Sequence, residues 1–159
     1  MAEAYSSQGR TAYKYQFSAL PGTHASDLHA YFGPLSSVAY LSEELQRAFM
    51  TFWGNFITQA NPSPPNAITG RPLTNTTRDF NEPVSWPAFS IASPNQLNLN
   101  QTGGAAAVGA MDVYSPVRTT YFTGPELKAT YSLDDAYTWE EGRGDRCDLW
   151  RSLAPLVPM

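Results

Sequence analysis

The chain holds one cysteine, Cys147, among its 159 residues. A single thiol excludes an internal disulfide framework and any Cys-rich zinc site. Histidine is almost as scarce. His24 and His29 are the two present, and their spacing does not put both on one helical face as H-x-x-x-H does, so a His24–Asp27–His29 metal set is not expected. Charge is sparse too. Charged residues make up 15%, and 10 Lys and Arg against 14 Asp and Glu leave a net charge of −4 and a pI near 5.0. Nucleic acid or an anionic membrane would need clustered Lys and Arg, so neither is expected as a partner. No stretch approaches the ~18 uninterrupted apolar residues of a membrane span. A G-x-S-x-G nucleophile elbow and an H-G-G-G oxyanion loop are also lacking.

What is present suffices for one domain. Hydrophobic residues make up 42% and aromatics 13%, enough to bury a core and too much for a disordered chain. Thirteen Pro and eleven Gly point to a loop-rich structure rather than a helical bundle. There is no internal repeat and no boundary sharp enough for two domains. The stretch 1–10 (MAEAYSSQGR) lacks the apolar core of a secretory signal, so the chain as written is expected in the cytoplasm. Two glycosylation sequons, Asn75-Thr76-Thr77 and Asn100-Gln101-Thr102, sit oddly with that expectation, although such triplets also arise by chance.

From Thr11 to Ser18, Tyr13, Tyr15 and Phe17 alternate with Lys14, Gln16 and Ser18, which predicts a strand. Leu20-Pro21-Gly22 stops it and leaves Thr23-His24-Ala25-Ser26-Asp27 on a loop at a strand's C-terminal end, where open α/β sheets carry their chemistry. The clearest element is a helix from Ser42 to about Ala60. Ser42 can cap it, and Glu43 and Glu44 suit the positive end of the helix dipole. Leu41, Leu45, Phe49, Phe52, Trp53, Phe56 and Ile57 form its apolar stripe, while Glu43 and Arg47 stand opposite at ion-pair spacing. Burying these residues would contribute about 10–20 kcal/mol before entropy, so the stripe is expected to face a core, with a partner surface as the alternative. Asn61-Pro62-Ser63-Pro64-Pro65-Asn66 ends the helix, and a loop follows as far as Pro83. Trp86-Pro87-Ala88-Phe89 is an extended aromatic segment. Leu97 to Asn100 alternate as a short strand that Gly103-Gly104 ends, and the pattern from Ala105 to Tyr131 is ambiguous. A short closing helix is expected to start at Asp145 or Asp148, to run through Cys147, Leu149, Trp150 and Leu153, and to be stopped by Pro155 and Pro158. Arg143-Gly144-Asp145 spells a cell-adhesion tripeptide but is expected to be a turn with a cap.

Among candidate chemical groups, Ser26, His24 and Asp27 cannot form a self-contained triad, because side chains so close on one loop cannot line up as nucleophile, base and orienter. His24 is the best single candidate. A histidine on a loop after a strand is where an α/β-hydrolase places its general base.

Four landmarks, taken in order, resemble the C-terminal third of the type-B carboxylesterases, the family of fungal lipases, carboxylesterases and cholinesterases. Gly22-Thr23-His24-Ala25-Ser26-Asp27-Leu28 with Tyr31-Phe32-Gly33 resembles the catalytic-histidine segment. Leu41-Ser42 through Phe52-Trp53-Gly54-Asn55-Phe56 and on to Ala60-Asn61-Pro62 resembles the family's long helix. Trp86-Pro87-Ala88-Phe89 and the Leu97–Asn100 strand resemble its W-P-x-Y/F landmark and the strand after it. Arg146-Cys147-Asp148-Leu149-Trp150 resembles its terminal C-x-F-W helix. The resemblance covers nearly the whole chain. It implies the C-terminal portion of an α/β-hydrolase fold, a single partial domain over 1–159. In isolation this would be α+β and loop-rich, with one long amphipathic helix and few strands. It implies His24 as catalytic base, Asp27 as a supporting acid distinct from the triad acid, and no cofactor or metal. The substrate of the complete enzyme would be a small ester or lipid, and the missing N-terminal portion of the hydrolase would be a partner. The family is largely secreted and glycosylated, which suits the sequons, and its counterpart of Cys147 usually pairs with a cysteine that this chain does not have. The nucleophile, the oxyanion hole and the triad acid have no counterpart here, so the chain alone is expected to be inactive. The segment from Gln101 to Trp139 is longer than in cholinesterases, which places it nearer the fungal branch. The alternative is a non-catalytic binding module, or one half of a split esterase.

Overall fold

A computed structural model describes residues 2–35, 38–64, 85–109 and 118–156. The protein is mixed α+β. In chain order it runs α1 (Ala2–Ser6), β1 (Tyr15–Phe17), α2 (Leu28–Phe32), α3 (Glu43–Gln59), β2 (Asn95–Thr102), β3 (Ala105–Val108), β4 (Thr120–Thr123), β5 (Lys128–Asp135) and α4 (Trp139–Leu153), with a closing 3-10 turn at Ala154–Leu156. None of the described helices is long and apolar enough to cross a membrane.

Two small sheets form. The larger has the order β1-β2-β5, with β1 parallel to β2 and β5 antiparallel to it; β3 and β4 make a hairpin beside it. Eight residues of β2 pair with eight of β5, from Asn95 opposite Asp135 to Thr102 opposite Lys128. Beyond β2 the chain turns at Gly103 and Gly104, both at positive φ (81° and 75°). A Cβ on Gly103 would stand 2.4 Å from the Glu126 carbonyl oxygen, so only glycine passes there.

Alternation gives the larger sheet two unlike faces. Tyr15, Phe17, Leu97, Leu99, Ala129 and Tyr131 lie on the side that carries the core. Lys14, Gln16, Gln96 and Asn98 take the other. Helix α3 covers the first side with Leu45, Ala48, Phe49 and Phe52, all buried. Its start follows from the sequence: the Ser42 hydroxyl accepts the Leu45 N–H at 3.2 Å, which satisfies one of the free donors of the first turn. Glu43 pairs with Arg47 one turn on. The helix ends at Ala60, in the left-handed conformation. Glu44 fastens it to the sheet by accepting from the Ala129 N–H (3.2 Å) and Lys128 Nζ (3.3 Å).

The expected elements differ from the structure in five places. The strand read over Thr11–Ser18 pairs only at Tyr15–Phe17, although its side chains alternate as expected. The apolar stripe of α3 is covered only as far as Phe52: Trp53, Phe56 and Ile57 are 39%, 41% and 76% exposed, because the helix outruns the sheet beneath it. β2 is longer than Leu97–Asn100, and Gln96 and Asn98 are buried along with the leucines, since both of its faces are covered. The closing helix begins at Trp139 rather than at an aspartate cap. Its first residues, Glu140 to Gly142, have positive φ, so the regular turns start at Arg143. Arg143-Gly144-Asp145 therefore opens the helix and is not a turn. The loop read between Asn66 and Pro83, including the Asn75 sequon, lies outside the described residues.

Candidate functional site

The His24 loop follows directly from β1. Ser18 extends the parallel pairing by one bond, its N–H donating to the Leu99 carbonyl at 2.8 Å, and Ala19 is fully buried behind it. The chain then rises to the surface. Ser26 folds the loop back, with both its N–H (3.1 Å) and its hydroxyl (2.8 Å) donating to the Thr23 carbonyl. Ala25 completes the bend at a φ of 63°, a conformation that costs an L-residue energy and persists only where its surroundings hold it. His24 sits at the crest, exposed, and makes no hydrogen bond to any described residue.

Two phenols provide the hold. Asp27 points inward and accepts from the Tyr31 hydroxyl at 2.8 Å and the Tyr15 hydroxyl at 3.2 Å, and the two hydroxyls also bond each other. Burial is the main reason that both tyrosines titrate above their ordinary range, and the adjoining carboxylate adds to it. The cluster ties the histidine loop to β1 through Tyr15 and to α2 through Tyr31. The same rings join the core, with Phe49 standing 5.9 Å from Tyr15 and 5.1 Å from Tyr31 between centroids. Asp27 therefore supports the loop through the tyrosines, with no bond to His24. The role of Tyr15 was not read from the sequence, although its inward parity was. Tyr31 lies four residues after Asp27, a spacing that could have shown the pair.

The other candidates separate. Ser26 is buried with its hydroxyl spent on backbone, which leaves no nucleophile beside His24 among the described residues. His29 is exposed and meets the edge of Tyr40 at 6.2 Å. No group of His, Cys, Asp and Glu suited to a metal ion occurs among the described residues. Asn100 of the second sequon lies in the paired strand β2, where its side-chain oxygen takes the Gln101 N–H.

Two surfaces adjoin β1. The first is its outer edge. Lys14 and Ser18 direct their backbone groups to β2, so by alternation the N–H and C=O of Tyr15 and the N–H of Phe17 face away, and no described strand pairs with them. The second is an aromatic groove of about 90 Å³ between β1 and α3, lined by Tyr13, Tyr15, Phe52, Trp53, Phe56 and Trp86. Its rim is the exposed half of the α3 stripe. The arrangement thus offers an exposed imidazole that can take or give a proton, on a braced loop, next to the open edge of β1. No known protein family, curated protein or solved structure matches the chain.

Proposed function

We propose that the chain is the C-terminal part of a serine carboxylic ester hydrolase of the type-B carboxylesterase kind, with His24 as its general base. The observation that carries this reading is the sequence of a parallel strand with a vacant edge, β1, and a braced loop that presents His24 at its C-terminal end. Unpaired backbone groups at a sheet edge call for another strand or for solvent, and here they adjoin exposed aromatic side chains that suit burial. Further strands on that edge would extend the sheet towards a doubly wound α/β-hydrolase core and bring a serine to the histidine. His24 would then take the serine proton as the hydroxyl attacks the ester carbonyl, and would pass it to the leaving alcohol. In deacylation it would take a proton from water. No cofactor or metal enters this chemistry. The 159 residues alone are inactive in this reading, because the nucleophile and the oxyanion donors lie elsewhere.

An antibody against the segment Trp150 to Met159 tests the idea on native extract and culture medium. The expected result is a band several times larger than 17.5 kDa, enriched in the medium. A band at 17.5 kDa confined to cells would overturn the reading of a secreted esterase. A second reading, a binding module or complementing half of a split esterase, draws on the exposed Trp53, Phe56 and Ile57 as a contact surface. Mixing the chain with a serine-bearing N-terminal portion would then restore ester hydrolysis. Restoration that survives His24→Ala would remove His24 from the catalytic role.

A further inference from the structure

We propose that a second site, on the opposite face of the sheet from α3, binds a small organic carboxylate between Lys14 and Arg143. A cleft of about 200 Å³ opens between β1, the Phe89 segment and α4. Its ionic lining is Lys14, Arg143 and Arg151 against Glu3 and Asp148, and the Glu140 carboxylate pairs with Arg143 beside it. Glu3 and Asp148 are already engaged, since Arg151 reaches Glu3 at 2.6 Å and Asp148 at 2.9 Å, and Tyr137 donates to Asp148 as well. Arg143 spans Gln16, at 3.1 and 3.2 Å, and Glu140, at 2.8 Å, from the outer side.

Lys14 is the cation left over. Its ammonium donates to the Oε1 of the fully buried Gln96 at 2.5 Å and meets no carboxylate within 4.0 Å among the described residues. Burial, and then the neighbouring Arg143, hold Lys14 below its ordinary titration range. An anion seated against Lys14 would offset both effects on it. Both edges of the Arg143 guanidinium are taken by Gln16 and Glu140, so the direct bonds to the carboxylate come from the Lys14 ammonium, which has two N–H groups beyond the one given to Gln96. Phe89, Ala136 and Tyr137 supply an apolar wall for the body of the ligand, which favours an organic acid over a bare inorganic ion. At roughly 30 Å³ per water, the volume holds a handful of waters or one small molecule. This site is independent of the reading given to His24.

Cys147 lines the same cleft, is exposed, and is the sole thiol of the chain, so it reports on the site. The measurement is the alkylation rate of the full 159-residue chain by iodoacetate and by the neutral iodoacetamide. In each reaction the thiolate forms a C–S bond and iodide leaves. A peptide of the sequence Asp145 to Arg151 gives the reference ratio. The expected result is an iodoacetate-to-iodoacetamide ratio on the order of tenfold above that of the peptide, through local enrichment of the anion, and falling with added salt. Lys14→Gln and Arg143→Gln should each bring the ratio towards the peptide value, whereas Arg47→Gln on the outer face of α3 should leave it unchanged. Benzoate should protect Cys147 from iodoacetamide better than inorganic phosphate does. A wild-type ratio equal to that of the peptide, with no protection by benzoate, would overturn the site. Equal protection by phosphate would overturn its assignment to an organic acid.

Discussion

The two faces of the three-stranded sheet are held by different forces. Towards α3, rings interlock edge to face: Phe49 with Tyr15, Phe17 and Tyr31, and Phe52 with Trp86 and Tyr131, at centroid distances of 5.1 to 6.3 Å. Towards α4, the contact is polar, the two bonds that Arg143 gives to Gln16, and Gly144 is the one buried residue of α4 among those described. Apolar burial adds up over area, whereas each polar bond contributes only about 1 kcal/mol net. The α3 face should therefore carry the stability and the α4 face the ligand chemistry. The His24 loop draws on the first face, since its tyrosine brace is part of the aromatic core.

The largest effect should come from Phe49→Ala. The ring is about 1% exposed at the centre of the cluster, and its removal leaves a cavity that costs about 3–5 kcal/mol. Urea unfolding should show this loss, and His24 should lose its fixed loop with it. A loss below 1 kcal/mol would mean that the aromatic face is not the core. A smaller effect is expected from Gly144→Ala. The added Cβ would stand 2.0 Å from the Tyr137 ring, and relieving that clash costs about 1–3 kcal/mol. Hydrogen exchange should then speed up in α4 while α3 keeps its protection, because the two helices open separately. Equal acceleration in both would erase the distinction between the faces.

How much of this was legible follows from the range of each signal. The α3 helix, its Ser42 cap and the parity of β1 are local patterns, and they stand in the structure as read. Periodicity says which residues share a face but not how far the covering surface extends, so the exposure of Trp53, Phe56 and Ile57 could not be seen. Gln96 and Asn98 look like the wet side of a strand, and Gln96 is claimed by Lys14, a contact across 82 residues. The β3–β4 pair left no clear trace, because the alanines of β3 carry little pattern and β4, Thr-Tyr-Phe-Thr, is rich in strand formers but too short to alternate. The placement of His24 on a loop after a strand was legible in the pattern. Its brace needed the fold, which sets Tyr15 and Tyr31 against one carboxylate.

Alkaline pH should act on the buried tyrosines and on Lys14 in opposite senses. Burial raises Tyr15, Tyr31 and Tyr131 above the ordinary 10.0. Their contribution is whole below pH 10 and is lost above it, as the unfolded chain gives up protons that the folded chain still holds. Burial lowers Lys14 from 10.5, so its penalty is whole below its folded value and fades as the pH rises towards 10.5. Burial raises Tyr40 and the bond to Asp148 raises Tyr137 in the same direction, so the tyrosines outweigh the one lysine and the urea midpoint should fall above pH 10. The double variant Tyr15→Phe/Tyr31→Phe should flatten that fall, and Lys14→Met should steepen it. A midpoint that rises above pH 10 would show that the lysine dominates.

The smallest change should be Tyr131→Phe. The Tyr131 hydroxyl is buried among apolar groups and has no hydrogen-bond partner among the described residues, while its ring meets Phe52 edge to face at 6.3 Å. Burial, and secondarily the Glu44 carboxylate, make its ionised form unfavourable, so the hydroxyl contributes neither a charge nor a bond. Removing an unsatisfied polar atom without altering the ring should leave stability unchanged or raise it by up to about 1 kcal/mol. The same variant should also lose a part of the alkaline slope. A drop of more than about 1 kcal/mol, by contrast, would require a bond that the hydroxyl makes in solution, and the α3 face would then depend on a polar anchor as the α4 face does.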